Sequence, residues 1–274
     1  MINLYPVKEF KFPVIAECIS PDVFQGKTRE EIEELNVWEG NKQKKLGEIF
    51  KVEEIRAESL PEKEAITIKG NVSKVRRIGF GMKSGEITIY GDAGMHLGEE
   101  MKDGKITVHG NVGGWAGSMM KGGTIEIHGN ASDYLGAPYR GSIEGMHGGK
   151  IIVFGNVGNE AGAHMRRGII KIYGNVGQFA GLRMRDGTIY VQKDSEGRVG
   201  ACMTGGKIVA GGFLESVLPT FTVDSVKEKV KIEESEVAMG PFYLFLGDLV
   251  ENGNGKLYVF KEKNPHLSHY EKLL

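Results

Sequence analysis

The sequence predicts an all-β protein: a single-stranded, right-handed parallel β-helix (a solenoid) of about seven 19-residue turns with a capping segment at each end. Three observations carry this prediction. Glycine supplies 41 of the 274 residues, about twice its usual share, and 34 of the 41 lie between Gly70 and Gly212. Identical residues recur every 19 positions, and short apolar stretches alternate with period two.

Four columns of residues define the repeat. Methionines are spaced by 19 residues, with one interval of 26, at Met82, Met101, Met120, Met146, Met165, Met184 and Met203. Glycines three residues after each methionine and isoleucines five residues after it follow the same rhythm. A further glycine lies three residues before each methionine except Met146, where the matching glycine, Gly136, lies ten residues before. The long interval therefore indicates a seven-residue insertion between Gly136 and Met146.

Each repeat contains a β-strand and a corner. The segment from Ile87 to Gly91 reads ITIYG and returns in related form in later repeats, which is typical of a strand. Ile87 and Ile89 are expected to face the core, with the methionines filling the interior. A second short extended segment is expected around V-G-x-x-A-G. An Asn or Asp after each strand is expected to tolerate the left-handed corner conformation and to hydrogen-bond along the stack.

Residues 1–65 and 213–274 are predicted to be caps that cover the exposed strand edges of the repeat region, residues 66–212. The first cap should contain a short helix that begins at Thr28 with a Thr28–Glu31 capping box, followed by a charged stretch to Lys63. The second should contain a hairpin whose two strands, PFYLFLGDLV and KLYVF, flank the turn at Asn252–Gly255.

Immediately after the methionines runs a column of basic residues. Its members are Lys83, Lys102, Lys121, His147, Arg166 and Arg185, and Thr204 ends it. One interpretation is a solvated edge that Asp103, Asp186 and Glu99 partly neutralise. The other is a stripe that docks an acidic partner surface or an anionic coenzyme tail.

A column of rings follows the outer face of the strands, at Tyr90, His109, His128, Phe154 and Tyr173. Exposed rings suit burial under another subunit, although the termini of this chain could also cover them. A metal shared by His109 and His128 is disfavoured because no third ligand is in register. Tyr139 and Arg140, in the inserted loop, are residue types enriched at interfaces, while a neutral surface loop remains an equal alternative.

Composition and motifs exclude several functions. The net charge of −1 gives no global field for nucleic acid or an anionic membrane. Two cysteines, Cys18 and Cys202, are too few for an all-cysteine iron–sulfur or structural zinc site, and they suggest a reducing compartment. The sequence lacks an 18-residue apolar stretch and a signal peptide, so we expect no membrane insertion and a cytoplasmic protein. No phosphate loop, nucleophile elbow or H-E-x-x-H motif is present, and we expect no catalytic or metal-binding residues in this chain.

The repeat from Gly174 to Gly187, G-N-V-G-x-x-A-G-x-x-M-x-x-G, resembles the glycine-rich β-helix of the glutamate synthase C-terminal domain. The whole layout, including Leu218–Phe221 and Gly247–Leu249, is similar to the C subunit of formylmethanofuran dehydrogenase. This resemblance implies a non-catalytic scaffold subunit of an oxidoreductase complex that reduces CO2 and forms formylmethanofuran, the first step of methanogenesis.

By the same resemblance, other subunits carry a molybdenum or tungsten pterin, iron–sulfur clusters and an amidohydrolase metal site, and this chain binds no cofactor. A second hypothesis, which competes with the scaffold, is direct small-molecule binding, in which Lys83, Lys102, Lys121, Arg166 and Arg185 guide the γ-glutamyl tail of methanofuran. Two alternatives stay open: the C subunit of the bacterial formyltransferase/hydrolase complex in tetrahydromethanopterin-linked one-carbon metabolism, and a glutamate-synthase-like structural module.

Overall fold

The computed structural model describes residues 1–54 and 65–274, which are mostly β-sheet with few helices. The strands, numbered along the chain, are β1 Ile2–Pro6, β2 Val14–Ile15, β3 Asn36–Glu39, β4 Lys42–Lys45, β5 Phe50–Glu54, β6 Ala65–Lys69, β7 Val75–Arg76, β8 Glu86–Tyr90, β9 Lys105–Val108, β10 Thr124–Ile127, β11 Lys150–Val153, β12 Ile169–Ile172, β13 Thr188–Val191, β14 Lys207–Ala210, β15 Thr222–Glu233, β16 Glu236–Gly247 and β17 Gly255–Phe260. The α-helices are α1 Pro21–Phe24 and α2 Arg29–Glu33, and 3-10 turns cover Leu46–Glu48, Leu249–Glu251, Lys261–Lys263 and Pro265–Leu273.

The strands form a 13-stranded, mostly parallel sheet and a separate four-stranded sheet. The large sheet runs in the order β15-β16-β17-β14-β13-β12-β11-β10-β9-β8-β6-β1-β5. From β8 to β14, each strand pairs in parallel with its equivalent one repeat later, as when Ile87 pairs with Ile106. The prediction of an all-β protein is therefore confirmed.

Consecutive repeats also bond to each other away from this sheet. A row of parallel bridges joins Val72, Ala93, Val112, Ala131, Val157, Val176, Ser195 and Leu214, which confirms the second extended segment. A third row lies beside the methionines, where the Lys102 N–H donates to the Met82 carbonyl at 2.7 Å. Each repeat is thus held to the next along three rows of backbone bonds.

The predicted apolar columns form the core. All seven methionines of the repeat are fully buried, as are Ile87 and Ile89 and their equivalents in later repeats. At Gly117, whose φ is +64°, a Cβ atom would lie 2.5 Å from the Cδ1 atom of Ile151, so a side chain there would displace the end of that isoleucine. Glycine and isoleucine therefore recur together because the chain packs tightly against the next repeats.

The Asn/Asp column bonds along the stack as predicted. From Asp92 to Asp194, each side-chain oxygen accepts a backbone N–H from the next repeat at 2.7–3.1 Å. The prediction that these residues adopt the left-handed conformation is wrong, because none of them has a positive φ. Two other columns adopt it, one of which contains Trp115 at φ 60° and the other Met119 at φ 53°.

The insertion leaves the repeat intact. The Met146 N–H donates to the Gly136 carbonyl at 2.9 Å, just as the Met120 N–H donates to Gly117 at 3.2 Å. The inserted residues therefore form a loop whose two ends are joined by the hydrogen bond between Met146 and Gly136.

Both ends of the parallel sheet continue into antiparallel strands. β1 pairs in parallel with β6 and antiparallel with β5, and α2 begins at Thr28 with the predicted capping box to Glu31. At the other end, β17 pairs in parallel with β14 and antiparallel with β16, which confirms the predicted hairpin. The end of the predicted charged stretch, including Lys63, lies outside the described residues.

A second, longer hairpin was not predicted. β15 and β16 pair antiparallel, and their connection carries Glu233 and Glu236 onto the outer face of the large sheet. There both carboxylates bind the buried ammonium group of Lys171, and Glu233 also pairs with Lys150. Val230, Ile232 and other apolar residues of the hairpin form a small second core against Val209.

Candidate partner-binding surface

The basic column lies along one edge of the stack, as the spacing predicts. Backbone N–H groups of successive members donate to methionine carbonyls of the preceding repeat at 2.7–2.9 Å, which sets neighbouring members one repeat apart. Lys83, Lys102, Lys121 and Arg185 are exposed, while His147 and Arg166 are partly buried. The column therefore presents cationic groups at intervals of about 5 Å, the spacing of paired strands.

The acidic residues that neutralise this column differ from the expected ones. Glu100 lies 3.6 Å from Lys121, and Glu144, in the inserted loop, lies 3.1 Å from Arg166 and 3.4 Å from His147. Asp103 and Asp186 instead accept hydrogen bonds from the N–H groups of the glycines that follow them. Glu99 accepts a hydrogen bond from Arg77. Within the described residues, the ammonium groups of Lys83 and Lys102 and the guanidinium group of Arg185 have no carboxylate oxygen within 4.0 Å, although the Lys83 backbone N–H donates to Asp22 Oδ2 at 2.7 Å.

Towards its C-terminal end the column borders a cavity of about 300 Å³. His164 and Arg183 share this cavity with Arg185, together with Ile143 of the inserted loop. Burial, reinforced by the charges of Arg183, Arg185 and Arg166, lowers the pKa of His164. The surroundings of His164 are thus cationic, and the predictions from sequence missed both His164 and Arg183.

The predicted ring column is a continuous stack. Tyr90 and His109 are parallel with their ring centres 4.6 Å apart, and His109–His128, His128–Phe154 and Phe154–Tyr173 follow at 5.0, 5.0 and 5.3 Å. Tyr90 and Phe154 remain about half exposed. Tyr173 meets Tyr190 edge-on, and Tyr190 packs against the β15–β16 hairpin. The stack thus runs from open surface to the edge of the hairpin.

A second ring stack lies on another side of the repeats. Trp115 stacks between His96 and Tyr134, at 5.4 and 4.4 Å, in the first of the two left-handed columns. Tyr139 meets His96 and Trp115 edge-on, and the Arg140 guanidinium lies 6.0 Å from the Trp115 ring. The loop residues chosen from sequence therefore contact this stack, and the constant 19-residue spacing of His96, Trp115 and Tyr134 would have revealed it.

A buried carboxylate supports this second stack. Glu99 Oε2 accepts a hydrogen bond from Arg77 Nε at 2.8 Å and lies 3.3 Å from His96 Nδ1. Burial acts to raise the pKa of Glu99, but His96 and Arg77 outweigh it, so the pKa lies below its usual value. Arg77 also pairs with Glu17, near the N-terminal end of the chain.

Within residues 1–54 and 65–274, no three His, Cys, Asp or Glu side chains converge in a way that could hold a metal ion. His109 and His128 meet as stacked rings, and Glu126 Oε1 lies 3.0 Å from His128 Nε2. The helices in the same ranges are too short or too polar to cross a membrane.

These features define the chain as a glycine-rich β-repeat protein that displays stacked side-chain columns on its outside. Comparison with known proteins gives its family. The chain is 52% identical over 261 residues to the C subunit of the tungsten-containing formylmethanofuran dehydrogenase 2 of Methanococcus maripaludis, covering 93% of this chain and 94% of that protein. It belongs to the family of formylmethanofuran dehydrogenase C subunits.

Other relatives align over a shorter segment. The C subunit of the molybdenum-containing formylmethanofuran dehydrogenase 1 of Methanothermobacter marburgensis is 46% identical over 95 residues, 35% of this chain. In that alignment the chain spans 23% of the length of the relative. No family model matches the sequence.

A solved structure extends the likeness to the fold. It is the formyltransferase/hydrolase complex from Methylorubrum extorquens, crystallised with methylofuran. A chain of that complex superposes with a TM-score of 0.84 at 30% identity, covering 94% of this chain and 99% of the other.

Proposed function

We propose that the stacked repeats form a right-handed parallel β-helix, residues 66–212, with caps formed by residues 1–65 and 213–274. Three rows of backbone bonds between consecutive repeats support a chain that winds around a common axis. The antiparallel strands at both ends of the parallel sheet support the assignment of caps.

On this framework the chain acts as a scaffold subunit of the formylmethanofuran dehydrogenase complex. It holds the catalytic subunits in register while they reduce CO2 and form formylmethanofuran. The observation that carries the proposal is the continuous stack from Tyr90 to Tyr173, whose rings remain partly open in the chain alone. Flat rings on a rigid support can bury a large area at little cost in side-chain entropy, as subunit interfaces require.

The molybdenum or tungsten pterin, the iron–sulfur clusters and the amidohydrolase metal site belong, in this proposal, to other subunits. Catalytic residues are likewise assigned to those subunits. This chain contributes binding free energy and position only. The unpaired thiols of Cys18 and Cys202 support a cytoplasmic complex, since a reducing compartment keeps cysteines free.

Co-purification tests the scaffold. His128→Ser/Phe154→Ser removes two adjacent rings from the middle of the stack, and we expect the variant to lose at least tenfold in affinity for the catalytic subunits. Phe12→Ser/Phe213→Ser, which removes two exposed rings elsewhere, should co-elute like the unmodified chain. Failure of the unmodified chain to co-elute with any catalytic subunit would reject the scaffold role, and equal retention of both variants would reject the stack as the interface.

A second role rests on the basic column. The related complex from Methylorubrum extorquens was solved with methylofuran, and the cationic side-chain groups of Lys83, Lys102 and Arg185 form no ion pair within the described residues. We propose that the column guides the anionic tail of methanofuran. Lys102→Glu/Arg185→Glu should weaken coenzyme affinity of the assembled complex, and the difference should shrink as salt is raised. Unchanged affinity at low salt would reject this role.

The alternative placement is as the C subunit of a bacterial formyltransferase/hydrolase complex, which the 0.84 superposition supports. The 52% identity to the tungsten enzyme's subunit favours the dehydrogenase. Native mass spectrometry of the endogenous complex separates the two, because only the dehydrogenase assembly should contain a pterin-bound metal.

A further inference from the structure

A cluster of lysines lies outside both columns. Lys227, Lys229 and Lys231 follow one another along β15, whose pairing with β16 shifts register between Lys227 and Lys229. Lys207, at the start of β14, pairs in register with Lys256 of β17. All five lysines line one cavity of about 540 Å³ between β15 and the strands β13, β14 and β17.

The cavity carries an unbalanced positive charge. Among the described residues that line the cavity, Asp186 is the only carboxylate, and one of its oxygens accepts the Gly187 N–H at 2.7 Å. Among residues 1–54 and 65–274, no carboxylate oxygen lies within 4.0 Å of any of the five ammonium groups. The Lys207 ammonium instead donates to the Lys231 carbonyl.

Lys207 shows the effect of this crowding. Burial, together with the charges of Lys231 and Lys256, lowers its pKa. The charges of Lys231 and Lys256 therefore act on Lys207, so these ammonium groups repel one another. An anion in the cavity would relieve this repulsion.

Protection of the sheet edge explains only part of the cluster. Lysines on an edge strand prevent pairing with other chains, and β15 is an edge of the 13-stranded sheet. Lys207 and Lys256 lie on interior strands and have no such role. Protection of the sheet edge therefore does not explain why Lys207 and Lys256 line the same cavity as the β15 lysines.

We propose that this cavity binds a compact, multiply charged anion that carries phosphate or carboxylate groups. Lysine ammonium groups offer donors and no acceptors, so the ligand must supply the oxygen acceptors. A volume of 540 Å³ suits a small molecule better than a flat protein contact. Tyr258 provides a ring against which the carbon skeleton of such a ligand can pack. This inference is independent of the proposed scaffold role.

Calorimetric titration of the full chain with tripolyphosphate and with citrate, each in 150 mM salt, tests the site. We expect saturable binding of one ligand per chain that weakens at least tenfold in Lys207→Gln/Lys256→Gln and in Lys229→Gln/Lys231→Gln. The charge-matched control, Lys263→Gln/Lys272→Gln, should remain within twofold of the unmodified chain. The tighter of the two probes distinguishes a phosphate from a carboxylate ligand.

Two outcomes overturn the proposal. One is the absence of saturable binding of either probe up to millimolar concentration. The other is equal weakening by the control variant, which would mean that net charge alone attracts the anions. Melting curves guard against misfolding: the probe should raise the Tm of the unmodified chain and the control, and leave the Tm of both cavity variants unchanged.

Discussion

At Gly122 the backbone of one repeat passes very close to the preceding one. A Cβ atom there would lie 2.2 Å from the Lys102 carbonyl oxygen, and no positive φ is involved. Gly81 differs, because its φ is +61° while open space surrounds its missing side chain. Gly122 is therefore explained by the close approach of two backbones, and Gly81 by its backbone conformation.

Substituting each glycine by alanine should therefore give different costs. Gly122→Ala forces the backbone of two repeats apart and should lower the free energy of unfolding by about 3 kcal/mol. Gly81→Ala should lower the free energy of unfolding by about 1 kcal/mol, because only the left-handed conformation disfavours a side chain there. Urea denaturation measures both, and a Gly122→Ala cost no larger than that of Gly81→Ala would contradict the close approach.

Glu99 makes the stability of the chain depend on pH. Its folded-state pKa lies below the usual value, so its contribution is fully present above the unfolded-state pKa and is lost as the pH falls through the folded-state pKa. We expect Glu99→Gln to flatten the loss of stability between pH 6 and pH 3. Glu86→Gln, at an exposed carboxylate without a described ion pair, should leave the curve unchanged. A Glu99→Gln curve as steep as that of the unmodified chain would show that other groups cause the acid sensitivity.

The inserted loop is an element that can be removed as a unit. Deletion of residues 138–144 leaves Ala137 and Gly145 in the places that Ser118 and Met119 occupy one repeat earlier. Because Met146 already bonds to Gly136, the closure should re-form and the chain should fold.

Loss of Tyr139 and Arg140 should expose Trp115 to water and shift its fluorescence to longer wavelength. The single variant Tyr139→Ala should give a smaller shift in the same direction. An unfolded deletion variant, judged by circular dichroism, would mean that the loop supports the repeat rather than extending from it.

Elements of the repeat region could be predicted because register follows from spacing. Once Met101 and Met120 are equivalent, the neighbours of Tyr90, Lys83 and Ile87 follow by adding 19. Aromatic side chains one repeat apart must then stack, as the Tyr90–Tyr173 column does.

The β15–β16 hairpin could not be predicted in this way. It has no equivalent elsewhere in the chain, and its position depends on pairs such as Lys171–Glu233, which are 62 residues apart. The lysine cavity is hidden for the same reason, since Lys207 and Lys231 meet only when the hairpin lies over the sheet. The switch of acidic partners from Asp103 to Glu100 and Glu144 depends on side-chain directions that spacing does not determine.

The oligomeric state of the whole molecule depends on the strands that cover the edge of β14. β17 occupies the edge of β14, and β16 and β15 follow it in the sheet. A chain that ends at Gly212 exposes the N–H and carbonyl groups of β14, which can then pair with another chain.

We therefore expect truncation after Gly212 to convert the protein into concentration-dependent oligomers, measured by light scattering. Truncation after Asn264, which keeps β17 in place, should give no such oligomers. A monomeric chain ending at Gly212 would show that the edge of β14 needs no cover.

The hydrogen bonds from Asp92 to Phe213 are the same at every step, and none of them depends on which repeat supplies the donor. Gain or loss of one 19-residue unit would therefore leave this row of hydrogen bonds unbroken. It would also move one terminus relative to the other by a single strand spacing of about 4.8 Å. The distance between the two ends of the repeat region can therefore change only in steps of one strand spacing, while the core columns of the remaining repeats stay the same.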